Sequence, residues 1–214
     1  MRIVLIAAKQ LEFAKTRLSG AMPAAERQVL AEAMFRDVLG AALSARVPDH
    51  VALVSSDERL LKMARAAGAM TIDEKFPRGL NAAVRLGTEA LIAEGAGTVC
   101  VVLSDIPLVT GADIDAVFAA IPGPRGVALV PSRELSGTNI IARTPPDAVA
   151  TRFGRHSLMR HLESCEQAGL RCEIIRQSGP SMDLDLISDL ADFVRMPSAT
   201  HTFNQLARLG LDQA

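Results

Sequence analysis

Short, wholly apolar runs recur along this chain with helical patterns between them, and that alternation restricts the fold more than any other feature. Arg2–Ala8 (RIVLIAA) and Thr98–Leu103 (TVCVVL) are almost entirely apolar at consecutive positions. A strand with one wet face alternates polar and apolar side chains; an unbroken apolar run suits a strand covered on both faces, as in a parallel sheet between helices. Residues 51–54, 69–72, 126–130, 138–142 and 172–176 read as further strands. Helical patterns fall at 24–45 behind Pro23, from Ser56 or Asp57 to about 67, at 80–93, from Thr110 or Asp113 to about 121, at 156–168 and at 185–194. Strands alternating with helices predict an α/β fold: one domain, a three-layer α/β/α sandwich with a mostly parallel sheet. Residues 1–196 carry this pattern; 197–214 read as a C-terminal tail with no assigned role.

Composition narrows the partners. The 214 residues carry a formal net charge of −1, so no overall basic field draws the chain to nucleic acid. Trp and Tyr are absent, which removes most base-stacking platforms. Any nucleotide is expected to be held by backbone groups, phosphate contacts and small polar side chains. Cys100, Cys165 and Cys172 form no C-x-x-C pair and read as reduced structural residues. The N-terminus has too short an apolar run for a signal peptide, and no stretch approaches a membrane span. A soluble, cytoplasmic protein is the expectation.

In an open α/β sheet, ligands gather beyond the carboxyl ends of the strands. Asp105 follows the most apolar strand, with Pro107 fixing the turn behind it. It reads either as a Mg²⁺ ligand or as a turn-forming Asp. In Met182-Asp183-Leu184-Asp185-Leu186, extended backbone would turn both aspartates to one side. Paired carboxylates repel unless a cation sits between them, and hard oxygen ligands suit Mg²⁺. The alternative is that Asp185 caps the following helix while Asp183 is solvated.

Four loops complete the candidate site. Lys9, Lys15, Thr16 and Arg17 follow strand one: a phosphate cradle without the Walker pattern, or a solvated charged loop. In Pro77-Arg78-Gly79-Leu80-Asn81, Gly79 admits close approach of a ligand, and Asn81 either reads a base edge or sits near a helix start. Ser136-Gly137-Thr138-Asn139 and Phe153-Gly154-Arg155-His156-Ser157 each place a glycine near a hydroxyl. Thr138 and Ser157 are candidates for a second phosphate, with helix capping as the alternative for Ser157. His156 and His161 lack metal-ligand partners at useful spacing and read as surface or core residues.

Taken in order, AKTRL, PRGLN, SDIPL, SGTN, FGRHS and MDLDL resemble the CofC/FbiD group of guanylyltransferases, over about residues 9–190. The resemblance implies a MobA-like, GT-A-type nucleotidyltransferase fold and formation of the phospho-acid–GDP precursor of coenzyme F420. It implies GTP as co-substrate, Mg²⁺ as metal, and a small phospho-acid as acceptor: 2-phospholactate, phosphoenolpyruvate or 3-phosphoglycerate. By it, Lys15 and Arg17 meet the triphosphate as catalytic cations, with Lys9 in the same loop. Pro77, Gly79 and Asn81 contact guanine, and Ser104 borders the nucleotide. Asp105, Asp183 and Asp185 hold the metal; Thr138, Gly154 and Ser157 hold the acceptor phosphate. Two departures stand out: Ser104 replaces a frequent Ala or Gly, and Arg155-His156 replace a frequent Pro-Gly, which adds positive charge beside the acceptor. The resemblance is compatible with a homodimer and with a downstream transferase of the F420 pathway as partner, and points to neither nucleic acid nor membrane.

Molybdopterin guanylyl- or cytidylyltransferases and sugar-phosphate nucleotidyltransferases share the fold, but normally carry L-A-G-G-x-S-x-R-M after strand one. Here that stretch is Ala7-Ala8-Lys9-Gln10. A non-catalytic nucleotide-binding module is the third reading, and the presence of all three candidate metal carboxylates argues against it.

Overall fold

The computed structural model describes residues 1–196 and 198–211. Seven strands form one sheet: β1 (Arg2–Ala8), β2 (His50–Ser55), β3 (Met70–Asp73), β4 (Thr98–Leu103), β5 (Gly126–Pro131), β6 (Thr138–Thr144) and β7 (Arg171–Ile174). Their spatial order is β3-β2-β1-β4-β6-β5-β7. All neighbouring pairs are parallel except β4–β6 and β5–β6, because β6 runs against both. Only six residues join β5 to β6. A parallel crossover needs a dozen or more, so this connection reverses the chain.

The sheet is sandwiched between α1 (Ala24–Ser44), α2 (Glu58–Ala66) and α4 (Gly111–Ala119) on one face, and α3 (Leu80–Ala93) and α5 (Ser157–Gln167) on the other. Period-two alternation divides each central strand between the layers. Val4, Ile6, Cys100 and Val102 pack towards α1 and α4; Ile3, Leu5, Val99 and Val101 pack towards α3 and α5. Each such buried side chain contributes about 1.5–3 kcal/mol of transfer free energy. On α3, a Cβ added at Gly87 would lie 2.8 Å from the Leu5 side chain. The bare backbone there lets α3 lie close on β1, which carries its N-terminal end to the rim of the sheet.

A smaller core sits under that rim. Leu18, Met34, Met182, Leu184, Phe193 and Leu206 close it, drawn from the first loop, α1, the 182–184 segment, α6 (Ile187–Val194) and α7 (His201–Arg208). Thus α7, within the stretch read as a tail, packs against α1 and is secured by Asp37, whose carboxylate accepts the backbone N–H groups of His201 and Thr202. The proposed tail boundary, Pro197, and residues 212–214 lie outside the described residues. α6 begins two residues later than the sequence pattern suggests. Asp189, not Asp185, satisfies the helix start, accepting from the backbone N–H groups of Asp185 (2.9 Å) and Leu186 (2.6 Å). No helix among the described residues is long and apolar enough to cross a membrane.

Candidate active site

The first loop turns through two short 3-10 turns, Leu11–Phe13 and Thr16–Leu18. Asp57 anchors it: one carboxylate oxygen caps α2 and the other accepts the Leu11 N–H at 2.8 Å. Between the turns, Lys15 adopts a left-handed conformation (φ 52°). That unusual backbone turns its side chain inward, where it is 6% exposed.

The Lys15 ammonium donates at 2.8 Å to Asp105 Oδ2 and at 2.8 Å to Asp185 Oδ1. Arg17 donates to Asp185 Oδ2 at 3.2 Å. Residues 90 and 170 positions from Lys15 in sequence therefore meet at one point. A backbone bond from Leu184 N–H to the Asp105 carbonyl (3.2 Å) holds the two acidic segments side by side. Met182 and Leu184 are buried in the rim core while Asp183 and Asp185 alternate out of it, as extended backbone requires.

The carboxylates are not equivalent. Burial opposes ionisation of Asp185, but the charge and hydrogen bond of Lys15 outweigh it, and its carboxyl is held below the ordinary value. Burial likewise opposes the charge on Lys15, and Asp105 and Asp185 overcome it and hold the ammonium charged. Asp183 forms no ion pair among the described residues: its carboxylate accepts from the Asn139 amide, at 3.3 Å, with that nitrogen also bound to the Pro180 carbonyl at 3.0 Å. Burial, then the negative charge of Asp105, push its carboxyl up to about 6. Among the described residues no three acidic, His or Cys side chains stand in ligating array around one point; the Lys15 ammonium lies between Asp105 and Asp185.

A cavity of about 300 Å³ opens beside this cluster. Lys9, Ser104, Asp105 and Asp185 line one end, and Ser56, Glu74, Pro77 and Gly79 line more of its wall. Gly79 precedes α3 with φ +91°, a conformation closed to most side chains, and leaves the wall open there. Glu74 accepts the Arg78 N–H at 3.1 Å and so shapes the loop.

Asn81 lies in the first turn of α3, near the helix start that the sequence offered as its alternative place. Its nitrogen donates to the Phe153 carbonyl (3.1 Å), and its oxygen accepts the Phe153 N–H (2.8 Å). This pair of bonds joins the start of α3 to the Phe153-Gly154 loop, and Asn81 does not line the 300 Å³ cavity.

Thr138 and Ser157 lie on the antiparallel side of the sheet, 2% and 1% exposed. Ser157 opens α5 and makes no capping bond; the turn is set by His156 in a left-handed conformation (φ 54°), by Ser157 N–H to the Gly154 carbonyl, and by Leu158 N–H to the Ser136 carbonyl. Beneath them is His161, fully buried. A backbone N–H can only donate, so the 2.8 Å contact from Arg152 N–H makes His161 Nε2 an acceptor. Burial, with Arg143 and Arg152 nearby, pushes its pKa down to about 4, so the ring is neutral near neutral pH. The proton then sits on Nδ1 and is donated to Thr138 Oγ1, 3.0 Å away. The Thr138 hydroxyl proton is left for another acceptor. The sequence reading placed His161 in the core or at the surface and gave Asn139 no role of its own; the structure buries His161 and bonds it to Thr138. The available signal for His161 was its place one helical turn past Ser157, on the same face.

The family described as guanylyl transferase CofC-like matches the chain over residues 1–214. The chain belongs to this family. Its relatives include the phosphoenolpyruvate guanylyltransferase of Sphaerobacter thermophilus, 37% identical, with 89% of this chain and 91% of that one covered. The 3-phospho-D-glycerate guanylyltransferase of Phenylobacterium zucineum is 34% identical (92% and 91% covered). The 2-phospho-L-lactate guanylyltransferase of Methanothermobacter thermautotrophicus is 30% identical (96% and 89% covered). Among solved structures, a protein of Desulfovibrio desulfuricans G20 described as a nucleotide-diphospho-sugar transferase superposes with a TM-score of 0.79 at 20% identity, covering 99% of this chain and 96% of that one. A nucleotidyl transferase of Methanothermobacter gives 0.62 at 16% identity, with 90% and 95% covered. The family and the fold thus agree with the ordered motifs: a guanylyltransferase chain on a nucleotidyltransferase fold.

Proposed function

We propose that this protein transfers GMP from GTP to the phosphate of a phosphorylated three-carbon acid and releases pyrophosphate. The observation that carries the reading is the meeting of Lys15, Arg17, Asp105 and Asp185, from three distant segments, at the mouth of the 300 Å³ cavity. Arg17 and Lys9 are exposed at that mouth, free to meet a triphosphate, and Lys15 exchanges carboxylate partners for phosphate oxygens. Pro77, Gly79 and Ser104 line the nucleotide; the Thr138 and Ser157 hydroxyls, with Gly154 beside them, hold the acceptor phosphate.

The donor chemistry suits a divalent cation, although Asp105, Asp183 and Asp185 do not stand in ligating array while the Lys15 ammonium lies between two of them. Three carboxylates stand at one edge against a single buried ammonium, and Asp183 forms no ion pair among the described residues. Hard oxygen donors of this kind suit Mg²⁺. Asp105, Asp183 and Asp185 would hold it, and it would supply charge neutralisation on the donor phosphates.

The acceptor's phosphate oxygen forms a bond to the α-phosphorus as the bond to pyrophosphate breaks. A phosphate monoester has its second pKa at about 6, so the nucleophile is already ionised near neutral pH and no general base is needed. What the chain supplies is alignment of two polyanions and cancellation of their repulsion. Lys15 and Arg17 do this for the donor; neutral hydroxyl donors do it for the acceptor. The acceptors named in the relatives are phosphoenolpyruvate, 3-phospho-D-glycerate and 2-phospho-L-lactate. Arg155 and His156 are exposed beside Ser157 and add hydrogen-bond donors there. Of the three acids only 3-phosphoglycerate carries a free hydroxyl, and we place it first.

The test is pyrophosphate release from each NTP with a panel of phospho-acids, with and without Mg²⁺. Release from GTP with a phosphorylated three-carbon acid, abolished by chelation, supports the reading. Release only from CTP, or only with a pterin acceptor, overturns it.

A further inference from the structure

The cavity wall away from the acidic cluster contains a carboxylate that the proposed chemistry leaves unused. Glu74 follows β3 and lines the same 300 Å³ cavity as Asp105 and Asp185. It is 8% exposed. It takes part in none of the ion pairs among the described residues. Its single side-chain hydrogen bond among them is the Arg78 N–H on Oε1. An ionised carboxylate offers about four lone-pair sites on two oxygens, so one such bond leaves most of its capacity unspent. That capacity is open to a ligand in the cavity that Glu74 lines.

The neighbouring groups restrict what that ligand is. Glu74 shares the cavity with the apolar side chains of Ala7, Leu80, Ala83 and Leu103, while the cations Lys9, Lys15 and Arg17 gather at the acidic cluster. Triphosphate at the cationic end leaves the nucleobase against Glu74. A carboxylate accepts hydrogen bonds only, so it selects a base edge with two adjacent donors. Guanine has that edge in its ring N1–H and exocyclic N2–H₂. Adenine and cytosine pair one amino donor with a ring acceptor, and uracil flanks one donor with two carbonyls; each sets an acceptor against the carboxylate.

We propose that Glu74 is the residue that selects guanine, its two oxygens accepting N1–H and N2–H of the base. This rests on the guanylyl-transfer reading and adds the group that enforces it. Asn81 is tied to the Phe153 peptide and does not line this cavity.

Glu74→Gln is the decisive variant, because its amide oxygen still accepts the Arg78 N–H and keeps the loop in shape, while the amide nitrogen opposes the N2 amine. Binding of GTP, ITP and ATP is measured by calorimetry, alongside pyrophosphate release with the phospho-acid panel. ITP lacks only the N2 amine. Wild type should bind GTP at least about tenfold more tightly than ITP, the value of one hydrogen bond to a charged group. In Glu74→Gln, GTP affinity should fall about a hundredfold and the GTP-to-ITP preference should collapse towards one. A purely loop-shaping Glu74 predicts no change in Glu74→Gln and a loss shared equally by GTP, ITP and ATP in Glu74→Ala. Either result overturns the proposal. If GTP turns over in wild type and the GTP-to-ITP ratio survives in Glu74→Gln, Glu74 is not the selector and guanylyl transfer stands. If no NTP yields pyrophosphate with any phospho-acid, the guanylyl-transfer reading falls with it.

Discussion

The two sides of the site are built by opposite means. On the proposed donor side, Lys15, Arg17, Asp105 and Asp185 are held by ion pairs, and their side chains range from 5% to 67% exposed. On the proposed acceptor side, Thr138, Ser157 and His161 are neutral and at most 2% exposed, and Thr138 and His161 are joined by a hydrogen bond with fixed donor and acceptor roles. Ion pairs near water are worth little individually and exchange partners easily. Buried neutral networks are satisfied once, at folding, and are costly to disturb. On the proposed function, the difference matches two cargoes: a triphosphate that arrives carrying its charge and leaves divided, and a small acid that has only to be held still.

The contrast breaks most sharply at Asp105. If the donor cluster is chemical rather than structural, Asp105→Asn should lower kcat/KM about a thousandfold, the upper range for removing one group from an electrostatic cluster. The melting temperature should stay within a few degrees. Full activity in this variant would remove the donor assignment altogether.

The next test addresses the neutral side through pH. The folded pKa of His161, about 4, lies below the ordinary 6.5. The unfolded chain therefore binds more protons between those values, and stability from this residue is present above about pH 6.5 and lost as pH falls towards 4. The gap corresponds to about 3 kcal/mol. Urea unfolding of wild type and His161→Leu at pH 7 and pH 4.5 isolates it: the wild type should lose more stability than the variant over that range. Parallel pH dependence in the two proteins would mean that the ring is not held neutral.

Thr138→Val sharpens the comparison in kinetic terms. It removes the hydroxyl whose proton His161 leaves free, and KM for the acceptor should rise about tenfold while KM for GTP stays unchanged. The smallest effect is expected at Asn81→Ala, which unties the start of α3 from Phe153. A two- to fivefold rise in acceptor KM, with no change in preference among nucleotides, corresponds to losing about one neutral hydrogen bond. A change in base preference would return Asn81 to the nucleotide.

How much of this was readable in advance follows from how local each cause is. β1, β4 and α3 begin and end where their residue patterns say, because an apolar run and its flanking turn fix a strand without outside help. The direction of β6 is a matter of connection, and the short link 132–137 was the clue. Asp183 and Asp185 emerge on one side because Met182 and Leu184 take the core, a period-two argument needing no tertiary knowledge. The position of Lys15 between Asp105 and Asp185 had no local signature: it depends on a left-handed turn and on partners far along the chain. The tie between Asn81 and Phe153 was hidden for the same reason, since nothing near Asn81 in sequence announces that partner.

Lys15, Leu135 and His156 are the three non-glycine residues with positive φ among the described residues, and all three lie in loops that carry or adjoin the proposed substrate-binding residues. Each such conformation costs on the order of 1 kcal/mol or more relative to relaxed backbone. The molecule therefore carries its least comfortable backbone where it works, and toughness and turnover pull against each other there. Leu135, whose side chain takes no part in the chemistry, is where an engineer would release that tension: Leu135→Gly should make a hardier enzyme without slowing it, while the same relief at Lys15 would be bought with the reaction itself.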